Sequence, residues 1–140
     1  MRVLVIDAQG GGIGKQLVAA VRQSIPDAEI TAVGTNSMAT AAMHKAGADH
    51  ASTGENAVVV ACRKADVIVG PIGIVIADSL LGEITPAMAV AVGQSSARRV
   101  LIPFHHCDNL IPGVASLSTG ALIQEAVGIL RSLAETGGEA

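Results

Sequence analysis

Residues 8 to 14 read Ala8-Gln9-Gly10-Gly11-Gly12-Ile13-Gly14, and Lys15 follows. The glycines strip side chains from a short stretch of main chain, so bare N–H groups can approach a ligand without obstruction by Cβ. A helix opening at such a turn adds unpaired donors and the positive end of its dipole. The chemistry this invites is binding of a phosphate or another small anionic group. Gly10, Gly11, Gly12, Ile13 and Gly14 would be the backbone donors, and Lys15 would add a point charge. The competing reading is a plain tight turn from strand to helix.

The spacing lies near several phosphate fingerprints and completes none. A Gly-x-Gly-x-x-Gly run from Gly10 would need glycine where Lys15 stands. The Gly-x-x-x-Gly-x-Gly run of short-chain dehydrogenases fits Gly12 and Gly14 but begins at Ala8, and the chain has no tyrosine to serve that chemistry. The Walker pattern fits Gly11 to Lys15 and then meets Gln16 where a magnesium-binding hydroxyl belongs.

Other loops carry further candidates. A dinucleotide site usually has Asp or Glu at the end of the second strand, on the ribose hydroxyls. Here that position reads Gly34-Thr35-Asn36-Ser37. Thr35 and Asn36 are neutral and admit NADP or a mononucleotide as readily as NAD, and Ser37 is the expected N-cap of the next helix. Glu55 and Asn56, after Thr53-Gly54, could hold a sugar, and Glu55 could act as a general base. The alternative is that Thr53 caps a helix whose first turn they fill. Gly70, Pro71 and Gly73 allow close backbone approach after another strand and could cover a base or sugar, or could simply turn. His105 and His106, with Cys107 and Asp108, form the one cluster with metal-ligand chemistry. Adjacent histidines point apart, and no second cluster completes a three- or four-ligand set, so no metal is assigned. An acid or base role for His105 or His106 is the stronger functional reading. No Gly-x-Ser-x-Gly nucleophile motif is present.

These residues need elements to position them. Val3-Leu4-Val5-Ile6 is an apolar run of the kind found in strands buried on both faces. A helix from about Ile13 to Ser24 follows, with Ile13, Leu17 and Val21 on one stripe. Further strands are expected at residues 29–33, 50–52, 66–69 and 99–102, with helices between them. Thr85-Pro86 reads as N-cap and first helical residue. Ile72 to Leu81 is expected as a helix, Leu110-Ile111 as an extra edge element, and 119–135 as a C-terminal helix. Strands alternating with helices imply a three-layer, doubly wound α/β fold of Rossmann-like kind, with a mostly parallel sheet of about five strands. Ligands in such sheets sit beyond the carboxyl ends of the strands. That rule brings the glycine turn and the other loops to one edge.

With 140 residues, residues 1–136 are expected to form one domain, followed by a frayed tail at 137–140. Half the residues are hydrophobic and 15% are charged, so a real core can form, and it must be aliphatic because Phe104 is the only aromatic residue. A net charge of −3 and the lack of aromatic platforms argue against nucleic acid. The longest later apolar stretch, residues 67–77, is broken by Gly70, Pro71 and Gly73 and falls short of the about 20 residues a membrane helix takes. Two cysteines, far apart, suit a reducing compartment, and a cytoplasmic location is expected.

The runs Asp7 to Lys15, Gly34-Thr35-Asn36, Ala46-Gly47-Ala48, Thr53 to Asn56, Ala65 to Gly73 and Leu81 to Pro86 resemble a bacterial family, domain of unknown function 3842, over about residues 1–115. Ala8 stands where that family's pattern favours glycine. The resemblance implies a Rossmann-like bacterial protein and transfers no catalytic residues. Three functions then compete. The leading one is a small nucleotide-binding domain for NADP, NAD or a mononucleotide. The second is an enzyme acting on an anionic metabolite, with His105 or His106 as acid/base and Glu55 assisting. The third is a structural or regulatory homo-oligomer, with the C-terminal helix and residues 72–81 as subunit interface.

Overall fold

The apolar run at the N-terminus forms β1 (Arg2–Asp7), and Val3, Leu4, Val5 and Ile6 are all buried. Burial of consecutive residues requires cover on both faces of the sheet, since successive side chains alternate. The computed structural model, which describes residues 1–103, 109–114 and 117–137, supplies that cover. After β1 come α1 (Gly12–Ser24), β2 (Glu29–Gly34), α2 (Ser37–Lys45), β3 (His50–Thr53), α3 (Glu55–Cys62) and β4 (Val67–Pro71). A 3₁₀ turn (Ile72–Val75), α4 (Pro86–Gln94), β5 (Arg98–Ile102) and α5 (Thr119–Glu135) complete the order.

All five strands pair in parallel, in the order β3-β2-β1-β4-β5. Val3 and Val5 pack with Leu17 and Val21 of α1, Met43 of α2 and the inner face of α5. Leu4, Ile6 and Ile68 pack on the other side with Val58 of α3 and Met88 and Val92 of α4. The result is an α/β sandwich of three layers. The chain winds one way from β1 through β2 to β3, then crosses back to β4 and β5. The strand order therefore reverses between β1 and β4, and the loops leaving those two strands flank the ligand crevice typical of such sheets.

Several boundaries fall where the sequence placed them. The C-terminal helix spans Thr119–Glu135, and Thr85 caps α4 through Met88 N–H at 3.2 Å, with Pro86 at its first turn. Others differ. Residues 72–81 are no helix: after the 3₁₀ turn, Asp78, Leu80 and Leu81 take φ of 63°, 55° and 57°. A right-handed helix cannot accommodate those angles. The segment is instead anchored by buried Ile74 and Ile84 and closed by Asp78 N–H donating to Ile84 O at 2.7 Å. Asn36, not Ser37, caps α2, its Oδ1 accepting from Ala39 N–H at 2.9 Å. Thr53 caps nothing; its hydroxyl pairs with that of Thr40 at 2.7 Å, and Gly54 precedes α3. Leu110-Ile111 adds no strand.

The apolar face of α5 is consumed inside the fold. Leu122, Ile123, Ala126, Val127, Leu130 and Leu133 are buried in the core that α1 and β5 share. Among the described residues, no helix is long and apolar enough to cross a membrane.

Candidate functional site

Asp7 ends β1 and is 5% exposed. Its carboxylate turns toward the opening of α1. Oδ1 accepts from Ala8 N–H at 2.8 Å and Oδ2 from Gly14 N–H at 2.7 Å, so an internal anion occupies the helix N-terminus. Glycine is required at position 14 for this seat, because a Cβ would strike the Asp7 and Met43 side chains. Burial raises the Asp7 pKa; hydrogen bonds from the Gly14, Ala8 and Ile13 amides pull it back, and the charge of Glu83 raises it further.

The glycine turn is thereby divided. Gly11 N–H closes the turn on Ala8 O at 3.0 Å, its φ is 71°, and its Cα lies against the Ala39 backbone. Ile13 and Gly14 direct their amides inward to Asp7. Gly10 and Gly12 are different. Both are exposed, a Cβ at either would meet nothing within 4 Å, and no acceptor among the described residues meets their amides. Lys15 is exposed one turn into the helix.

Glu83, on the connection from β4 to α4, reaches this edge from 48 residues beyond Thr35. Its Oε1 accepts from Thr35 Oγ1 at 2.7 Å, Asn36 Nδ2 at 2.8 Å and Gln9 N–H at 3.0 Å. Asn36 Nδ2 also donates to Gln9 O at 2.9 Å. One hydrogen-bonded cluster thus joins the ends of β1 and β2 to the β4–α4 connection. Burial alone would raise the Glu83 pKa, but the bonds from Thr35, Gln9 and Asn36 outweigh it and hold the carboxyl below its ordinary value. No hydrogen bond to Oε2 forms among the described residues. Thr35 and Asn36 therefore lie beside the glycine turn, and the end of β2, neutral in sequence, has a carboxylate after all.

The remaining expected residues do not join this cluster. Glu55 accepts from Thr85 Oγ1 at 2.6 Å and ties the start of α3 to the start of α4. Asn56 lines an open groove of about 870 Å³ beside α3, with Thr31 and Ser52 of the sheet, Val60 of the helix and Lys64 just past it. Gly70, Pro71 and Gly73 are buried. Gly70 leaves room for the Ile6 carbonyl, and Gly73 lies against Ser79 and Leu80. The close approaches at Gly70 and Gly73 lie where the β4–α4 connection begins. His105 and His106, like Cys107 and Asp108, lie outside the described residues.

Sequence reasoning missed Asp7 and Glu83. Asp7 had a signal: an acid closing an apolar strand directly before a helix-opening turn. Glu83 had only its charge in a largely apolar connection, a signal that Asp78 shares.

A five-stranded parallel sheet in this order, with helices on both faces, defines a Rossmann-like α/β domain. The chain belongs to the family described as Domain of unknown function (DUF3842), which matches residues 2–135. No curated protein matches it. Among solved structures it is similar to a dodecameric FMN-dependent UbiX-like decarboxylase from Escherichia coli O157:H7, with 17% identity and a TM-score of 0.54 over 98% of this chain and 95% of that one. It is also similar to AibC, with 22% identity and a TM-score of 0.48 over 98% of this chain; it spans 39% of that protein's chain. At such identity the first likeness is one of fold.

Proposed function

We propose that this chain is a small nucleotide-binding domain whose ligand lies across the carboxyl edge of the sheet, between the glycine turn and Glu83. One observation carries the reading. Among the described residues, the exposed Gly10 and Gly12 at the switch point have amides with no acceptor, and a Cβ at either would meet nothing within 4 Å. The phosphate donors are Gly10 and Gly12, with Lys15 adding charge. Gly11, Ile13 and Gly14 shape the turn. Thr35 and Asn36 build the sugar side, and aliphatic side chains hold the base. The fold neighbour's dependence on FMN supports a mononucleotide, and its dodecameric assembly supports a homo-oligomer.

Thermal unfolding with FMN, AMP, NAD and NADP at millimolar concentration tests this. A ligand at a hundredfold excess over its Kd stabilises by about 2.7 kcal/mol, which raises Tm by roughly 5–10 °C in a domain of this size. An unchanged Tm with every one of them refutes the proposal.

A further inference from the structure

The connection that delivers Glu83 takes an unusual path. Among the described residues, the non-glycine residues with positive φ are Gln9, Asp78, Leu80 and Leu81. All four belong to two of the three segments that meet at Glu83, the glycine turn and the β4–α4 connection. L side chains avoid this conformation, and residues held in it cluster at ligand sites where the surroundings enforce it. The connection is enforced: Ser79 Oγ donates to Gly73 O, Ile84 N–H to Ser79 O at 3.3 Å, and Ile84 is buried.

We propose that Glu83 is the sugar-binding and specificity-determining residue of the nucleotide site. Its Oε2 accepts hydrogen bonds from the hydroxyls of an unphosphorylated ribose, and its charge excludes a ribose carrying a further phosphate. The inference rests on the nucleotide reading above. Three donors on Oε1 fix the plane of the carboxylate and leave the other oxygen to a ligand. Its place beside Thr35 and Asn36 is where doubly wound folds put the acid that binds ribose. That acid ordinarily comes from the second strand; here it arrives from the β4–α4 connection. Two of the three segments meeting at Glu83 also carry an uncovered large apolar side chain. Met38, two residues past Asn36, is 70% exposed, and Leu81, two before Glu83, is 93% exposed. A base attached to the bound sugar gives such side chains something to cover.

Calorimetric titration of the full chain and of Glu83→Gln, each with AMP and with AMP phosphorylated on the ribose 2′-hydroxyl, tests the assignment. Gln keeps a carbonyl oxygen for the three donors and replaces the charged acceptor Oε2 by a neutral NH2 donor. The wild type is expected to prefer AMP by at least about tenfold, like charges in contact being costly. Glu83→Gln is expected to weaken AMP binding by about tenfold, the scale of a charge-assisted hydrogen bond, and to lose the preference. A Glu83→Gln chain that keeps the wild-type preference overturns the assignment and leaves nucleotide binding standing. Binding of FMN with none of AMP does the same. Failure of AMP and FMN alike removes both. Should the variant not fold, the wild-type preference decides alone: equal affinity for the two nucleotides contradicts the role.

Discussion

Replacing Asp7 by Ala tests how the glycine turn is built. The carboxylate satisfies two amides, Ala8 N–H at 2.8 Å and Gly14 N–H at 2.7 Å, in a place where Asp7 itself is 5% exposed. Alanine leaves both donors without their acceptor. Each buried amide stripped of its partner costs about 1–3 kcal/mol, and loss of a helix-capping side chain costs about 0.5–2 kcal/mol. These overlap, because Gly14 N–H is counted in both, and relief of a buried charge offsets part. The net loss is about 2–3 kcal/mol, or roughly 6–10 °C in Tm. Urea unfolding followed by circular dichroism reads it as a lower midpoint with an unchanged slope. The pH dependence has a fixed sign. The raised pKa of Asp7 means that the native state keeps this proton to higher pH than the unfolded chain. Its contribution to stability is therefore fully present below the ordinary Asp value and declines as pH rises through the folded value. The gap between wild type and Asp7→Ala narrows from acid to neutral pH. A variant as stable as wild type throughout that range refutes the capping account.

The two kinds of glycine predict opposite phenotypes. Gly14→Ala drives a Cβ into Asp7 and Met43 and should cost about 2 kcal/mol or more on the scale of overpacked cores; Gly10→Ala should leave the urea midpoint unchanged and weaken nucleotide binding in a titration. Glu83, held below its ordinary pKa by hydrogen bonds that outweigh its burial, contributes stability above the unfolded Glu value that is lost as pH falls through the folded value; acid titration of Glu83→Gln should lack that component. Burial pushes the Cys62 thiol up to about 11, so at pH 8 a thiol reagent should modify Cys62 in the native protein only as fast as the chain opens. Light scattering should give a mass above that of one chain; a monomer at all concentrations contradicts the assembly proposed from the fold neighbour.

Much of the scaffold was legible because its signals are local. The Val3–Ile6 run needs two covered faces, the α5 stripe recurs at helical spacing, and Thr85-Pro86 carries its own capping chemistry. The segment from Ile72 to Leu81 misled because its apolar composition suits a helix, while its path depends on leucines in a conformation that leucine rarely adopts. The site was half legible for the same reason. The glycine turn announces itself in consecutive residues, and so do Thr35 and Asn36. The partner that joins them is Glu83, a contact across 48 positions, which no local periodicity records. Which glycines face outward was also hidden, since the answer depends on the direction in which the Asp7 side chain turns.

Amide chemical-shift mapping of the labelled chain during titration with AMP or FMN bears most directly on where the ligand binds. The account predicts that the largest changes fall on Gln9, Gly10, Gly12 and Asn36 and on the backbone around Glu83. Changes confined to the groove beside α3, at Thr31, Ser52 and Lys64, or no changes at all, contradict it.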